Sequence, residues 1–261
     1  MKRIAFAARL LVAALVAGLA IVPMKAGAAG VYENAAAEPA FLLSPRRIAL
    51  RADLDFSRRD PTEASIYRIG AAFPLRSAFM VGLEQPFVSV SDSSGIESGI
   101  GDLLLRASAA VHRGHGWSIS LLAFLASGTG SDTYFPFSSQ TLDVSLSLAC
   151  ADTVGAATLY ATAGRTWVNR ERSGVPEDER QTDNWRGSAG VRVDVGPHAV
   201  VRGGALYLDF NGDPHRAILY AGTGFDATAS VSLGVDIQTE VGPASQRVSD
   251  WAATAGVTIL F

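Results

Sequence analysis

Ile48-Ala49-Leu50-Arg51-Ala52-Asp53-Leu54-Asp55-Phe56 alternates from end to end. Ile48, Leu50, Ala52, Leu54 and Phe56 share one side, and Ala49, Arg51, Asp53 and Asp55 share the other. Successive side chains of a β-strand point to opposite faces, so this period of two marks a strand whose faces meet unlike surroundings. The pattern returns along the chain. Leu142, Val144, Leu146 and Leu148 oppose Thr141, Asp143, Ser145 and Ser147. Val231, Leu233, Val235 and Ile237 oppose Ser230, Ser232, Gly234 and Asp236. The last run sets Trp251, Ala253, Ala255, Val257, Ile259 and Phe261 against Asp250, Ala252, Thr254, Gly256 and Thr258. Less regular segments near 64–73, 78–88, 101–112, 117–127, 156–168, 185–195, 200–210 and 216–226 bring the tally to twelve strands. Within 156–168 and 200–210, Arg165 and Asp209 fit either face badly.

The connections alternate too. Short turns fall at 74–77, 113–116, 152–155, 196–198 and around Asp226-Ala227. Between them lie longer polar linkers, Ser89 to Ser98, Ser127 to Ser138, Asn169 to Asn184 and Thr239 to Ser249, with shorter polar ones near 58–61 and 211–215. Short, long, short, long describes an antiparallel meander with one trimmed end and one elaborated end.

Composition narrows the function. At 48% hydrophobic and 18% charged, the chain has the apolar surface that a disordered protein lacks. A single Cys excludes a disulfide framework and a Cys-based zinc site. A net charge of −3 excludes the strongly basic balance of a nucleic-acid binder. The polar strand faces carry Gly, Ser, Thr and paired-looking Arg and Asp, with no Lys and little Glu, which is unlike a surface meeting water. A soluble β-protein would turn its apolar face inward. Here the apolar face is expected to meet lipid instead. Strands of about ten residues suit a tilted bilayer crossing, and a closed ring leaves no unpaired edge in hydrocarbon. Residues 46–261 are therefore expected to form an all-β, transmembrane, antiparallel up-and-down barrel of about twelve strands. Trp117, Trp167, Trp185 and Trp251 fall near strand ends, where aromatic girdles sit at the headgroup level. Short turns would face the periplasm and long loops the exterior.

The N-terminus reads as an address. Met1-Lys2-Arg3 is a basic start, Leu10 to Val22 an apolar run, and Ala26-Gly27-Ala28 a small-x-small cleavage site, so 1–28 is expected to be a removed signal peptide. No Cys at that point argues for a lipoprotein. Cleavage removes Lys2, Arg3, Arg9 and Lys25 and no acid, leaving a mature charge of −7 with every remaining cation except His an Arg. Residues 29–45 show no periodicity and are expected to be a short periplasmic arm.

The search for catalytic chemistry is negative. There is no Gly-x-Ser-x-Gly elbow and no His flanked by Ser and Asn as in outer-membrane phospholipases. His112, His115 and His198 lie at short turns and read as solvated; the Gly-x-Gly pieces at 99–101, 128–130 and 222–224 lack a following helix. Cys150 falls on the apolar face and reads as a small hydrophobe. No catalytic residue, metal or cofactor is expected. The informative groups are charges expected to point inward: Arg51, Asp53, Asp55, Arg68, Glu84, Asp102, Arg106, Asp143, Arg186, Arg192, Asp194, Arg202 and Asp236. Burying each alone would cost several kcal/mol per ion, so they must pair or meet water. Arranged as a conduit, they would sort solutes; arranged as pairs only, they would stiffen a closed interior. About eight strands give a filled barrel and 16–18 an aqueous channel, so twelve predicts a narrow lumen.

Ser98-Gly99-Ile100-Gly101-Asp102-Leu103-Leu104-Leu105-Arg106 opens a strand after a loop. With Leu83-Glu84-Gln85-Pro86-Phe87 upstream and Ser127-Gly128-Thr129-Gly130-Ser131 and 139–149 downstream, it resembles the outer-membrane proteins grouped as the "MetA-pathway of phenol degradation" and related transporter family. The resemblance covers residues 46–165 and elsewhere rests on strand pattern. It implies a Gram-negative outer-membrane barrel that passes small, aromatic or hydrophobic compounds, and it brings no catalytic residue. The expected function is passive uptake, with a closed structural or surface-interaction barrel, and then a lipid-acting enzyme, as alternatives. Expected partners are outer-membrane lipid and lipopolysaccharide, small solutes, and the barrel-assembly machinery through the terminal Phe261; nucleic acid is not among them.

Overall fold

The computed structural model describes residues 48–59, 62–76, 78–93, 95–114, 116–130, 142–167, 184–210, 216–242 and 249–261. The expectations for the signal peptide, the N-terminal arm, His115 and the charged linker 169–183 lie outside these residues. Thirteen antiparallel strands run through the described residues: β1 (Ala49–Arg59), β2 (Thr62–Arg76), β3 (Phe79–Asp92), β4 (Gly95–Ile100), β5 (Leu104–Arg113), β6 (Trp117–Ser127), β7 (Leu142–Val154), β8 (Ala157–Trp167), β9 (Asn184–Asp194), β10 (Ala199–Phe210), β11 (Arg216–Thr228), β12 (Val231–Val241) and β13 (Trp251–Leu260).

Apart from β4 and β5, which both pair with β3, each strand pairs with its sequence neighbours, and β1 pairs with β13, which closes the ring. Arg51 lies opposite Thr258, and Asp55 opposite Thr254, at that seam. Strands β4 and β5 are two pieces of one stave: Phe87 of β3 pairs with Ile100, and Glu84 with Leu104. The barrel therefore has twelve staves, as the alternation predicts.

The break in the split stave has a chemical cause. Pro86 has no N–H to give the ladder, so the backbone there can only accept, from Gly101 N at 3.0 Å. Side chains supply the rest. Gln85 Nε2 donates to Gly101 O at 2.9 Å, Gly130 N donates to Asp102 Oδ1 at 2.9 Å, and Leu103 N donates to Thr129 Oγ1 at 3.2 Å.

Strand ends depart from expectation in one direction. Ser89 to Ser98, expected to be a linker, is the β3–β4 hairpin, and Thr239 continues β12 to Val241. The serines look like loop residues by composition, but they keep the period of two: Val88 and Val90 point into the barrel while Ser89 Oγ meets Ser98 Oγ at 3.0 Å on the other side. At the opposite end the turns are tight, as between Val154 and Ala157, where Gly155 takes φ 64°.

The two faces are sorted in the reverse of a water-soluble protein. Leu50, Leu54, Leu148, Leu219, Val235 and Ile237 are exposed, Ile237 to 61%, while Asp55, Arg68, Ser120 and Ser145 are buried, Asp55 to 2%. Trp167, Trp185 and Trp251 are exposed at the long-loop ends of β8, β9 and β13. Trp117 stands at the short-turn end of β6, its ring 4.1 Å from that of His112. This outward apolar band has a measurable consequence. Leu148→Arg, in the middle of β7, should lower the unfolding free energy by about 2–4 kcal/mol in urea titrations of vesicle-embedded protein, the cost of a cation at a bilayer midplane. If water faced Leu148, the change would stay within about 0.5 kcal/mol.

Candidate functional site

The inward side chains divide the lumen into two kinds of wall. On β1, β2, β3 and β5 they are largely ionic, with the hydroxyl of Thr254 on β13 beside them. Asp53 sits opposite Arg68, Gly70 opposite Glu84, and Gly82 opposite Arg106, which steps the charges around the ring. Arg68 forms an ion pair with Asp55 and reaches Glu84 at 3.8 Å, and Glu84 holds Arg106 Nη2 at 2.9 Å. Thr254 donates its hydroxyl to Asp55, and Arg51 Nε meets Asp53 Oδ2 at 2.6 Å. The Arg68 and Asp55 side chains are only 4% and 3% exposed, so this chain of alternating charge replaces the water they lost.

A second ionic crossing lies on β10–β12. Arg202, Gly222 and Asp236 form one transverse row. Arg202 Nε donates to Asp236 Oδ1 at 2.7 Å, and its Nη2 binds the other carboxylate oxygen. The guanidinium spans an entire strand because Gly222 has no side chain: a Cβ there would run into the Asp236 carboxylate.

From β6 to β11 hydroxylic, aromatic and aliphatic groups stand among the inward arginines Arg186, Arg192 and Arg202. Tyr160, Gly190, Gly204 and Tyr220 share a row, and the two tyrosines lie across the glycines with their hydroxyls 2.5 Å apart. Thr162 and Ser188 join hydroxyls at 2.7 Å. Phe124 sits between two guanidiniums, Arg186 at 4.8 Å and Arg106 at 5.4 Å from its ring centre. Arg186 also donates to Ser147 Oγ from Nε at 3.2 Å and Nη2 at 3.1 Å. Toward the long loops, inward Leu206, Leu208 and Ile218 cluster on β10–β11, and Ala64, Ile66 and Val88 on β2–β3.

A cavity of about 420 Å³ occupies the short-turn half of the ring. Of the thirteen charges expected to point inward, Arg51, Asp53, Glu84, Arg106, Arg192, Arg202 and Asp236 border it. Arg68 lies in the ion-pair chain that includes Glu84. Asp194 stands at the rim with Arg192 Nε 3.3 Å away. Asp143 is half-buried near the long-loop end of β7. Asp102 belongs to the wall, where it holds Gly130 N across the stave break. His198 also borders the cavity. Among the described residues no three His, Cys, Asp or Glu side chains gather as a metal would require.

The sequence reading missed a further buried ion pair near the long loops: Arg216 Nε and Nη2 each lie 2.6 Å from a Glu240 carboxylate oxygen. The signal was present, since Asp236, Gln238 and Glu240 keep one parity, but Glu240 fell in a presumed linker. Phe124 and the tyrosine pair were missed because large apolar groups were assigned to the outer face.

Cutting one member from the ionic chain should cost more than removing a whole pair. Glu84→Gln leaves Arg68 and Arg106 without their shared carboxylate and should destabilise the barrel by about 3–5 kcal/mol in urea unfolding. The double change Arg202→Met with Asp236→Leu should be close to neutral by the same measurement, because no lone charge remains.

The family described as "Putative MetA-pathway of phenol degradation" matches residues 49–261. No curated protein matches the sequence significantly. Among solved structures, an outer membrane channel from Pseudomonas putida F1 is 14% identical and superposes with a TM-score of 0.69, over 90% of this chain and 100% of that one. The NanC porin is 8% identical with a TM-score of 0.59 over 81% of this chain and 98% of its own, and the KdgM porin 10% identical with 0.58 over 81% and 99%. At these identities the likeness is one of fold: a closed barrel with a polar interior. With the match extending from the first strand to the terminal Phe261, the chain belongs to the MetA-pathway of phenol degradation family.

Proposed function

We propose that this protein is a passive channel of the bacterial outer membrane that admits small solutes, aromatic and hydrophobic ones among them. The carrying observation is the cavity of about 420 Å³ inside the ring, bordered both by paired charges and by the inward apolar side chains of Met80 and Val200. Ion pairs on its wall keep water in the passage, and the apolar members give a planar ring somewhere to rest. The family's description, which names phenol degradation, supports the aromatic class. Passage makes and breaks no covalent bond, so the proposal assigns no enzymatic step. In the same reading residues 1–28 are the export signal and 29–45 a periplasmic arm. Phe261, 67% exposed and bonded through its N–H to Ile48 O at 2.9 Å, presents the terminal aromatic to the assembly machinery.

A second reading, a closed structural barrel, draws on the burial of inward Ile66, Val88 and Leu208. Ion flow separates the two. Protein reconstituted in planar bilayers should conduct, and vesicles carrying it should take up a small phenolic solute; an electrically silent barrel with background flux would favour the closed form. Gly234 lies on the cavity wall, and a Cβ there would make only ordinary contacts, 3.8 Å from Arg202 Nη2 and from Thr223 O. Gly234→Trp should therefore fold, fill the passage and lower single-channel conductance several-fold.

A further inference from the structure

Arg165 and Asp209, the two residues that suited neither face in the sequence, both leave the barrel on its outer side. Arg165 pairs with Trp185, and Trp185 with Asp209, so the three form one transverse row across β8, β9 and β10. Trp185 is 54% exposed, which marks this row as lying on the outer side of the barrel. The Arg165 guanidinium lies 5.4 Å from the Trp185 ring centre and 5.5 Å from that of Trp167, held between two indoles at the long-loop rim. Tyr207 stands two residues from Asp209 on the same side of β10. Leu146, paired with Arg165 and 51% exposed, extends the row onto β7, and Leu148 continues the apolar band toward the short turns.

A cation on the hydrocarbon side of a barrel is costly unless it sits at the headgroup level. The two indoles hold Arg165 at that level. Asp209 makes the stronger demand. It is 8% exposed, and its Oδ1 accepts no hydrogen bond among the described residues. A carboxylate oxygen enclosed in this way costs free energy until a donor meets it.

We propose that this patch binds one phosphorylated glycolipid of the outer leaflet. Arg165 takes a phosphate in charge-assisted hydrogen bonds, Asp209 accepts from a sugar hydroxyl or amide N–H, and the acyl chains lie along the apolar band beside Leu146. The lumen plays no part, so the site stands or falls independently of solute passage.

Native mass spectrometry of the full chain tests it, with bis-phosphorylated lipid A, dephosphorylated lipid A and phosphatidylglycerol as probes. The wild type should retain one bis-phosphorylated lipid A about tenfold more tightly than either other lipid. Arg165→Gln should remove that preference, Arg165→Lys should restore part of it, and Asp209→Asn should weaken both forms of lipid A alike. Folding of each variant is read from the heat-dependent gel shift of the barrel. Equal retention of phosphatidylglycerol or of dephosphorylated lipid A by the wild type overturns the proposal without any variant. So does undiminished selectivity in folded Arg165→Gln.

Discussion

Hydrocarbon offers no partner to a backbone N–H or C=O, and the rest of this structure follows from that constraint. A sheet can meet it only by closing on itself, which the β1–β13 seam accomplishes. Closure then sends alternate side chains to two separate worlds. Leu, Val and Ile on the outside need no partner, whereas every Arg, Asp and Glu on the inside does. Where the ladder itself fails, at Pro86, the repair is made by Gln85, Asp102 and Thr129. The wall is kept whole by side chains at the one stave that breaks.

The interior charges satisfy their need sideways. Arg68, Glu84 and Arg106 run around the wall from strand to strand, and Arg202 crosses β11 to reach Asp236. Such crossings require a strand with nothing in the way, which is the role of Gly222, and of Gly190 and Gly204 beneath the tyrosines. Small residues on the inner face thus do two things at once. They let long side chains lie flat, and the space left free becomes the cavity. The resulting lumen carries ions on both arcs, with hydroxyls, rings and aliphatic groups concentrated between β6 and β11.

Much of this was legible before folding was considered. The alternation of Ile48 to Phe56 identifies both faces of β1, and Leu142 to Leu148 does the same for β7. Twelve staves, the trimmed and elaborated ends and the inward placement of most of the charges follow from such runs. Legibility failed where composition overrode parity. Serines near 89–98 looked like loop while keeping strand rhythm, and Glu240 was hidden in the same way. Phe124, Tyr160 and Tyr220 face inward although size and apolarity suggested lipid. Arg165 and Asp209 were anomalous in any two-sided scheme that equates outside with purely apolar, because it omits the headgroup layer at the rim.

What the amino-acid order determined by itself is each strand's pair of faces, since a period of two is a property of neighbours along one chain. Which charges meet was decided only in three dimensions. Thr254 and Asp55 are 199 residues apart and touch because the ring closes. Arg202 finds Asp236 because the registers of two strand pairs align them across a glycine on the intervening strand. Register is a relation between strands, set by turns, bulges and closure together. The location of the cavity, and the partner of each buried ion, therefore emerged with the barrel.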